Sequence, residues 1–221
     1  GHITVDKKRT GKLFYWLFEA WEKSDHAPLV VWLNGGPACT SMDGLFLENG
    51  PFKLEADLKV SVNPHSWSKV AHVIYIDQPV GTGLSYTTSN VYPRNDGDVN
   101  RHLLEFFDGL LALHPFLQGR EVFLTGESHA GHYLPSLAQA LVLRADKQRD
   151  QRPPPNEVVA VGGVAIGNGW FDPFHQYGVA EFAHGQGLIS SGQVTALKER
   201  ELKCRAKLTA GTYMSPLCWD L

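Results

Sequence analysis

Apolar residues in this chain fall into short, nearly unbroken runs that end on Asn, Asp, Gly or Pro, separated by longer stretches with helical spacing. Residues 28–33 (PLVVWL) and 70–76 are almost wholly apolar, as expected of central parallel strands covered on both faces. The first run stops at Asn34, Gly35, Gly36 and Pro37, the second at Asp77, Gln78 and Pro79. Residues 12–19 (KLFYWLFE) are aromatic and rich in strand formers. They predict a strand that pairs as a hairpin with His2–Val5, residues 7–11 making the turn. Residues 121–125 and 158–166 predict two further strands, the second closed by Gly167, Asn168 and Gly169.

Between these runs the period changes. Leu103, Phe106, Phe107, Leu110 and Leu111 predict a helix over 98–114, with Asp98 placed to cap it and Pro115 to end it. Leu134, Leu137, Ala138 and Leu141 give a buried stripe to a helix starting at Ala130, where Pro135 fits only in or near the first turn. Residues 147–156, polar and carrying Pro153 to Pro155, predict a surface loop, and 177–207 read as helices broken by Gly185, Gly187 and Gly192. Alternating strands and helices predict an α/β doubly wound sheet, with its site at the carboxyl ends of the strands. The expected division is an α/β core over 1–173 and the start of a helical lid over 174–221.

Composition narrows the function. With 221 residues, 43% of them hydrophobic, the chain can bury a large core, and a net charge of −3 offers no basic field for nucleic acid. No apolar run reaches the length of a membrane span, and Gly1 is not followed by a basic, apolar leader. A signal peptide, if there was one, is expected to have been removed. Cys39, Cys204 and Cys218 show no CxxC spacing, which argues against zinc. Cys204 and Cys218 can close a local loop, leaving Cys39 to a partner outside the chain or to a buried thiol.

Ser128 lies in EVFLTGESHAGHYLP (Glu121 to Pro135), which reads as strand, sharp turn, helix. A serine at such an apex needs small residues two before and two after it, and Gly126 and Ala130 meet that demand. The stretch resembles the nucleophile elbow of α/β-hydrolases, with Ala130 in place of the commoner second glycine. Taken singly, this motif and Asn34 to Pro37 are more readily read as ordinary turns, since Gly, Asn and Ser favour them.

Four blocks together are specific. WLNGGPACTSMDGLFLENGP from Trp32, IDQPVGTGLSY from Ile76, GESHAGHYLP from Gly126 and IGNGWFDP from Ile166 are similar to successive signature blocks of serine carboxypeptidases, in the family's order and spacing. GNGWFDP and SMDG resemble most the processing type that trims basic residues. The sequence departs from the family at Ala38, Thr40 and His129, where Gly, Ser and Tyr are usual.

The resemblance implies an acyl-enzyme on Ser128, with the backbone N–H groups of Gly36 and His129 as the oxyanion hole. It implies that Asn34, the Gly35 backbone, Glu48 and Glu127 bind the free carboxylate of a peptide or protein substrate, with no metal or cofactor. Two acids beside an anion require a shared proton, hence a preference for acid pH. The family's triad runs Ser, Asp, His. After Ser128 the chain offers Asp146, Asp150, Asp172 and Asp220, with His129, His132, His175 and His184, and we read these as structural or solvated. The triad acid and base are therefore expected downstream, in a truncated half or in a second chain. Secretory-pathway localisation follows from the same resemblance, and with it a disulfide between Cys204 and Cys218. The other classes left open are an acyltransferase with the same elbow and a non-catalytic binding or stabilising protein.

Overall fold

The computed structural model describes residues 1–6, 8–22, 26–149, 159–211 and 216–219. The chain divides into two compact units, Gly1–Gly169 and Trp170–Leu221.

The first unit is built on a sheet of seven strands. β1 (His2–Val5) and β2 (Gly11–Phe18) form the antiparallel hairpin expected from their alternation. β3 (Leu29–Leu33) is buried at every position. A short hairpin, β4 (Phe52–Leu54) with β5 (Val60–Val62), forms a separate small sheet that the apolar pattern does not announce. β6 (His72–Ile76) is again buried throughout, and β7 (Tyr86–Thr87) adds a short edge beside β2. α1 (Asp96–Leu113) leads to β8 (Glu121–Glu127), which runs directly into α2 (Ala130–Arg149), and β9 (Ala160–Gly167) completes the order β1-β2-β6-β3-β8-β9. β6, β3, β8 and β9 are parallel, so their carboxyl ends share one edge.

Period-2 alternation within the central strands supplies two cores. Val31, Leu33, Ile74, Ile76 and Leu124 join the apolar stripes of α1 and α2 in the larger one. Val30, Trp32, Val73 and Tyr75 point the other way, where Leu45 and the rings of Phe18 and Phe46 cover them.

Two local expectations are corrected. α1 is capped by Asn95, whose side chain accepts from the Asp98 N–H at 2.9 Å. Asp98 instead reaches back to the Arg94 N–H and pairs with Arg101, because a carboxylate in the first turn faces exposed amide protons on both sides. β8 also continues through Gly126 and Glu127, so the turn is tighter than the pattern implies and Ser128 follows the strand immediately.

The second unit holds α3 (Pro173–Gln176), α4 (Ala180–Gly185), α5 (Ser191–Thr209) and α6 (Pro216–Trp219). Gly192 does not break a helix. It lies in the first turn of α5, which Ser190 and Gln193 start with a reciprocal capping box. Cys204 and Cys218 are disulfide-bonded and buried with Leu208. Val158, Asp150, Asp220 and most of the loop expected over 147–156 lie outside the described residues.

Phe106 is fully buried in the larger core and meets Tyr15 edge to face at 5.5 Å between centroids. Phe106→Ala is expected to lower the unfolding free energy by about 3–5 kcal/mol. A denaturant titration showing a loss under about 1 kcal/mol would mean that the α1 to β2 contact is not part of the cooperative core.

Candidate active site

Ser128 is the first of the two residues between β8 and α2 and is exposed there. Its φ of 55° lies in the left-handed region, which costs a side-chain-bearing residue of order 1 kcal/mol or more. The turn is held from three directions. The Ser128 N–H donates to the Gly167 carbonyl at the end of β9 (2.9 Å), and the Ser128 and His129 carbonyls accept the N–H groups of Gly131 and His132 in the first turn of α2. Gly126 must stay bare, because a Cβ there would run into the Leu33 carbonyl and meet the Cβ of Ala130 at 2.9 Å. The small residues on either side of Ser128 are thus dictated by strand β3 and by the helix itself.

The loop after β3 closes on the same turn. A Cβ on Gly35 would lie 2.5 Å from the His129 nitrogen, 2.7 Å from the Glu127 carbonyl and 2.9 Å from the Ser128 Cβ. The Gly35 backbone therefore packs against the peptide groups flanking Ser128. Gly36 follows with φ 105° and a cis bond to Pro37, and the Cys39 N–H closes the turn onto the Gly35 carbonyl at 3.1 Å. Chain reversal here keeps the 35–36 peptide at the carboxyl edge of the sheet, beside the N–H that follows the serine.

Asn34 orders the acidic side of the site. Its Oδ1 accepts from the Trp32 indole N–H (2.7 Å) and from the Gly44 N–H (3.1 Å), which fixes the amide so that Nδ2 points away from both. Nδ2 donates to Glu127 Oε1 at 3.1 Å and to Glu48 Oε1 at 3.3 Å. Glu48 is delivered by a π-helical turn, Gly44–Glu48, anchored by the fully buried Leu45. Partial burial pushes the Glu48 carboxyl above its ordinary range; the Asn34 bond opposes this, and the charges of Glu127 and Asp43 add to the rise. Asn34, Gly35, Gly36, Glu48, Glu127 and Ser128 all line one cavity of about 440 Å³, together with Cys39, Asp43 and Leu47.

Asp77 is the organising residue that the apolar pattern presents only as a strand end. It is fully buried, and its carboxylate accepts from the Thr40 hydroxyl (2.7 Å), the Ser41 N–H (2.8 Å) and the Leu84 N–H (2.8 Å). Ser41 Oγ in turn donates to the Ile76 carbonyl and accepts from the Asn34 N–H. One carboxylate therefore joins the loops after β3 and β6. An Asp directly after an apolar strand, followed by Gln78 and Pro79, is the signal in the sequence that such a hub leaves.

The remaining candidates take other places. The His129 ring stacks on His132 with centroids 4.9 Å apart, and burial, then the neighbouring His132, lowers its pKa. His132 Nδ1 lies 3.9 Å from Asp96 of α1. Tyr133 beneath them is raised to about 12 by burial. Asp172 pairs with His175 at 2.5 Å within the second unit and caps α3, while His184 accompanies the Ile189 carbonyl. Cys39 is exposed, not the buried thiol that was one expectation, and forms no disulfide within this chain.

A parallel sheet with a left-handed serine between the end of β8 and a helix defines an α/β-hydrolase core, its sheet incomplete here. The family profile for serine carboxypeptidases matches residues 1–215, and the chain belongs to that family. It is 41% identical over its whole length to a pheromone-processing carboxypeptidase KEX1 of Phytophthora infestans, covering 38% of that protein. It is 40% identical over 93% of its length to serine carboxypeptidase-like 47 of Arabidopsis thaliana, covering 40% of it. The crystal structure of a prohormone-processing carboxypeptidase, KEX1(delta)p of Saccharomyces cerevisiae, superposes with a TM-score of 0.86 at 28% identity, over all of this chain and 50% of that one. The chain thus spans about two fifths of the length of these two curated relatives.

Asp77→Ala would strip three donors of their acceptor in a buried setting, and is expected to destabilise the protein by about 3–5 kcal/mol. Chemical denaturation reads this directly. A loss of less than about 1 kcal/mol would show that water replaces the carboxylate and that the two loops are held independently.

Proposed function

We propose that the protein to which this chain belongs is a serine carboxypeptidase that removes C-terminal residues from peptides and proteins. The observation that carries the reading is the shared cavity: the hydroxyl-bearing turn at Ser128 and the Asn34, Glu48 and Glu127 cluster face one space sized for a side chain and its terminal carboxylate.

In this reading Ser128 Oγ attacks the carbonyl carbon of the last peptide bond and gives its proton to a general base. The N–H groups of Gly36 and His129 receive the negative oxygen of the tetrahedral intermediate, each contributing roughly 100- to 1000-fold in rate. Collapse breaks the C–N bond, the base returns the proton to the leaving amine, and water then hydrolyses the acyl-enzyme. Asn34, the Gly35 backbone and the two glutamates hold the carboxylate of the leaving residue. A free C-terminus is what distinguishes this substrate from an internal bond, and the acidic cluster favours a peptidase over an acyltransferase, which has no such anion to grip.

The base and its orienting acid lie, in this proposal, outside these 221 residues, in a downstream segment or a second chain; the partial coverage of the relatives supports this. The compartment proposed is the secretory pathway. No helix among the described residues is long and apolar enough to cross a membrane. The 221-residue chain alone is expected to release C-terminal residues at no more than a residual rate, read as product formation from a blocked dipeptide. Robust release that disappears in Ser128→Ala would overturn the placement of the base.

The pH dependence follows from the glutamates. A carboxyl whose pKa is raised is neutral below that value and can donate to a substrate carboxylate; above it, the ionised pair repels the same anion. For the complete protein, KM for free-acid peptides should therefore rise with pH from about 4.5 to 8, a span covering ordinary Glu and His. KM for the corresponding amides should stay level, and Glu127→Gln should flatten the free-acid profile. Parallel weakening of acid and amide would show that the glutamates are structural.

A further inference from the structure

The two N–H groups proposed as the oxyanion hole belong to separate pieces of chain, Gly36 to the loop after β3 and His129 to the turn before α2. Their spacing has to be held closely, because a misplacement of about 1 Å can cost roughly 100-fold in rate. The Gly35 backbone supplies one contact between the pieces. Further along the same loop, Ala38 has φ 66°, a left-handed conformation that a residue with a Cβ resists. The Cys39 N–H, bonded to the Gly35 carbonyl at 3.1 Å, closes that turn from within but does not tie it to α2.

Tyr133 makes the tie. It stands in the first turn of α2, 3% exposed, in the larger core with Leu134 and Leu137. Its hydroxyl is hydrogen-bonded to the Ala38 backbone. Its ring meets the His129 ring at 4.9 Å between centroids, tilted by 58°, while His129 also stacks on His132. One buried phenol therefore touches both the loop that carries Gly36 and the residue that carries the second N–H. Tyr133 is not among the residues that line the Ser128 cavity.

We infer that Tyr133 is a positioning residue for the oxyanion hole: its ring seats His129 and its hydroxyl seats the Ala38 turn, so that the Gly36 and His129 N–H groups converge on one oxygen. The inference rests on the carboxypeptidase reading above and adds to it a residue that acts through the backbone of two others. Its effect belongs to the transition state, because the substrate oxygen gains its negative charge only there.

The test compares the complete protein with Tyr133→Phe, which keeps the ring and removes the hydroxyl, on a blocked dipeptide and on its C-terminal amide. The value of kcat should fall roughly 10- to 100-fold for both substrates with KM within about 2-fold, since both pass through the same tetrahedral intermediate. Burial raises the phenol to about 12, so it keeps its proton and the ratio should hold from about pH 5 to 8. Leu137→Ala, one turn along the same helix and fully buried, is the control for lost packing. It should lower the melting temperature while kcat stays within about 2-fold of wild type. Amide exchange over residues 35–39 should quicken roughly 5-fold in Tyr133→Phe, the loss of one hydrogen bond, with β3 unchanged.

A kcat within about 2-fold of wild type, a loss carried by KM, or an equal loss of kcat in Leu137→Ala would overturn the inference. A folded wild type that cleaves neither substrate would instead overturn the carboxypeptidase reading. The exchange comparison alone would then decide the Tyr133 tie, and unchanged exchange over 35–39 would sink it.

Discussion

The contact on which the site depends is between two backbones. The loop after β3 approaches the peptide groups around Ser128 so closely that no atom beyond a glycine hydrogen fits at position 35. Backbone groups brought together this way need no side-chain ordering to face a reacting oxygen, so the polarity at the site is fixed before a substrate arrives. The strand order makes the approach possible. β3 lies directly beside β8 in parallel, so the loop leaving one strand and the turn leaving the other emerge at the same edge.

Strain at Ser128 is sustained by the same arrangement. A serine with φ 55° is disfavoured by itself. Here its N–H is bonded to β9, its carbonyl begins α2, and Gly126 behind it is pressed against β3. Two strands and a helix would have to move for the residue to relax. Asp77 plays the corresponding part for the loops, placing one buried charge where three donors converge, so that the loops after β3 and β6 cannot shift separately.

Asn34 lets two carboxylates lie close together with no cation among the described residues that line the cavity. Its oxygen is spent on Trp32 and Gly44, leaving the two amide hydrogens for Glu127 and Glu48. Burial raises the Glu48 pKa, the charges of Glu127 and Asp43 add to the rise, and the Asn34 bond opposes it.

Much of this was legible in the chain itself. The two apolar runs read as covered strands, because they are short, apolar on both faces and end on Asn, Asp, Gly or Pro, and the small residues around Ser128 marked a turn that tolerates no bulk. The cysteine pair was also apparent, since Cys204 and Cys218 are close in sequence. The hairpin of β4 and β5 was not, because Leu54, Val60 and Val62 are largely exposed and give no alternating pattern of burial. The helix cap moved from Asp98 to Asn95, since both residues are good caps and only the path of the preceding chain selects one. Residue identity determined which groups were available: a serine in a tight turn, an amide, two glutamates and a buried aspartate. That Glu48 and Glu127, far apart in sequence, share one amide was decided by the tertiary structure, because a parallel sheet aligns the ends of strands whatever chain length separates them.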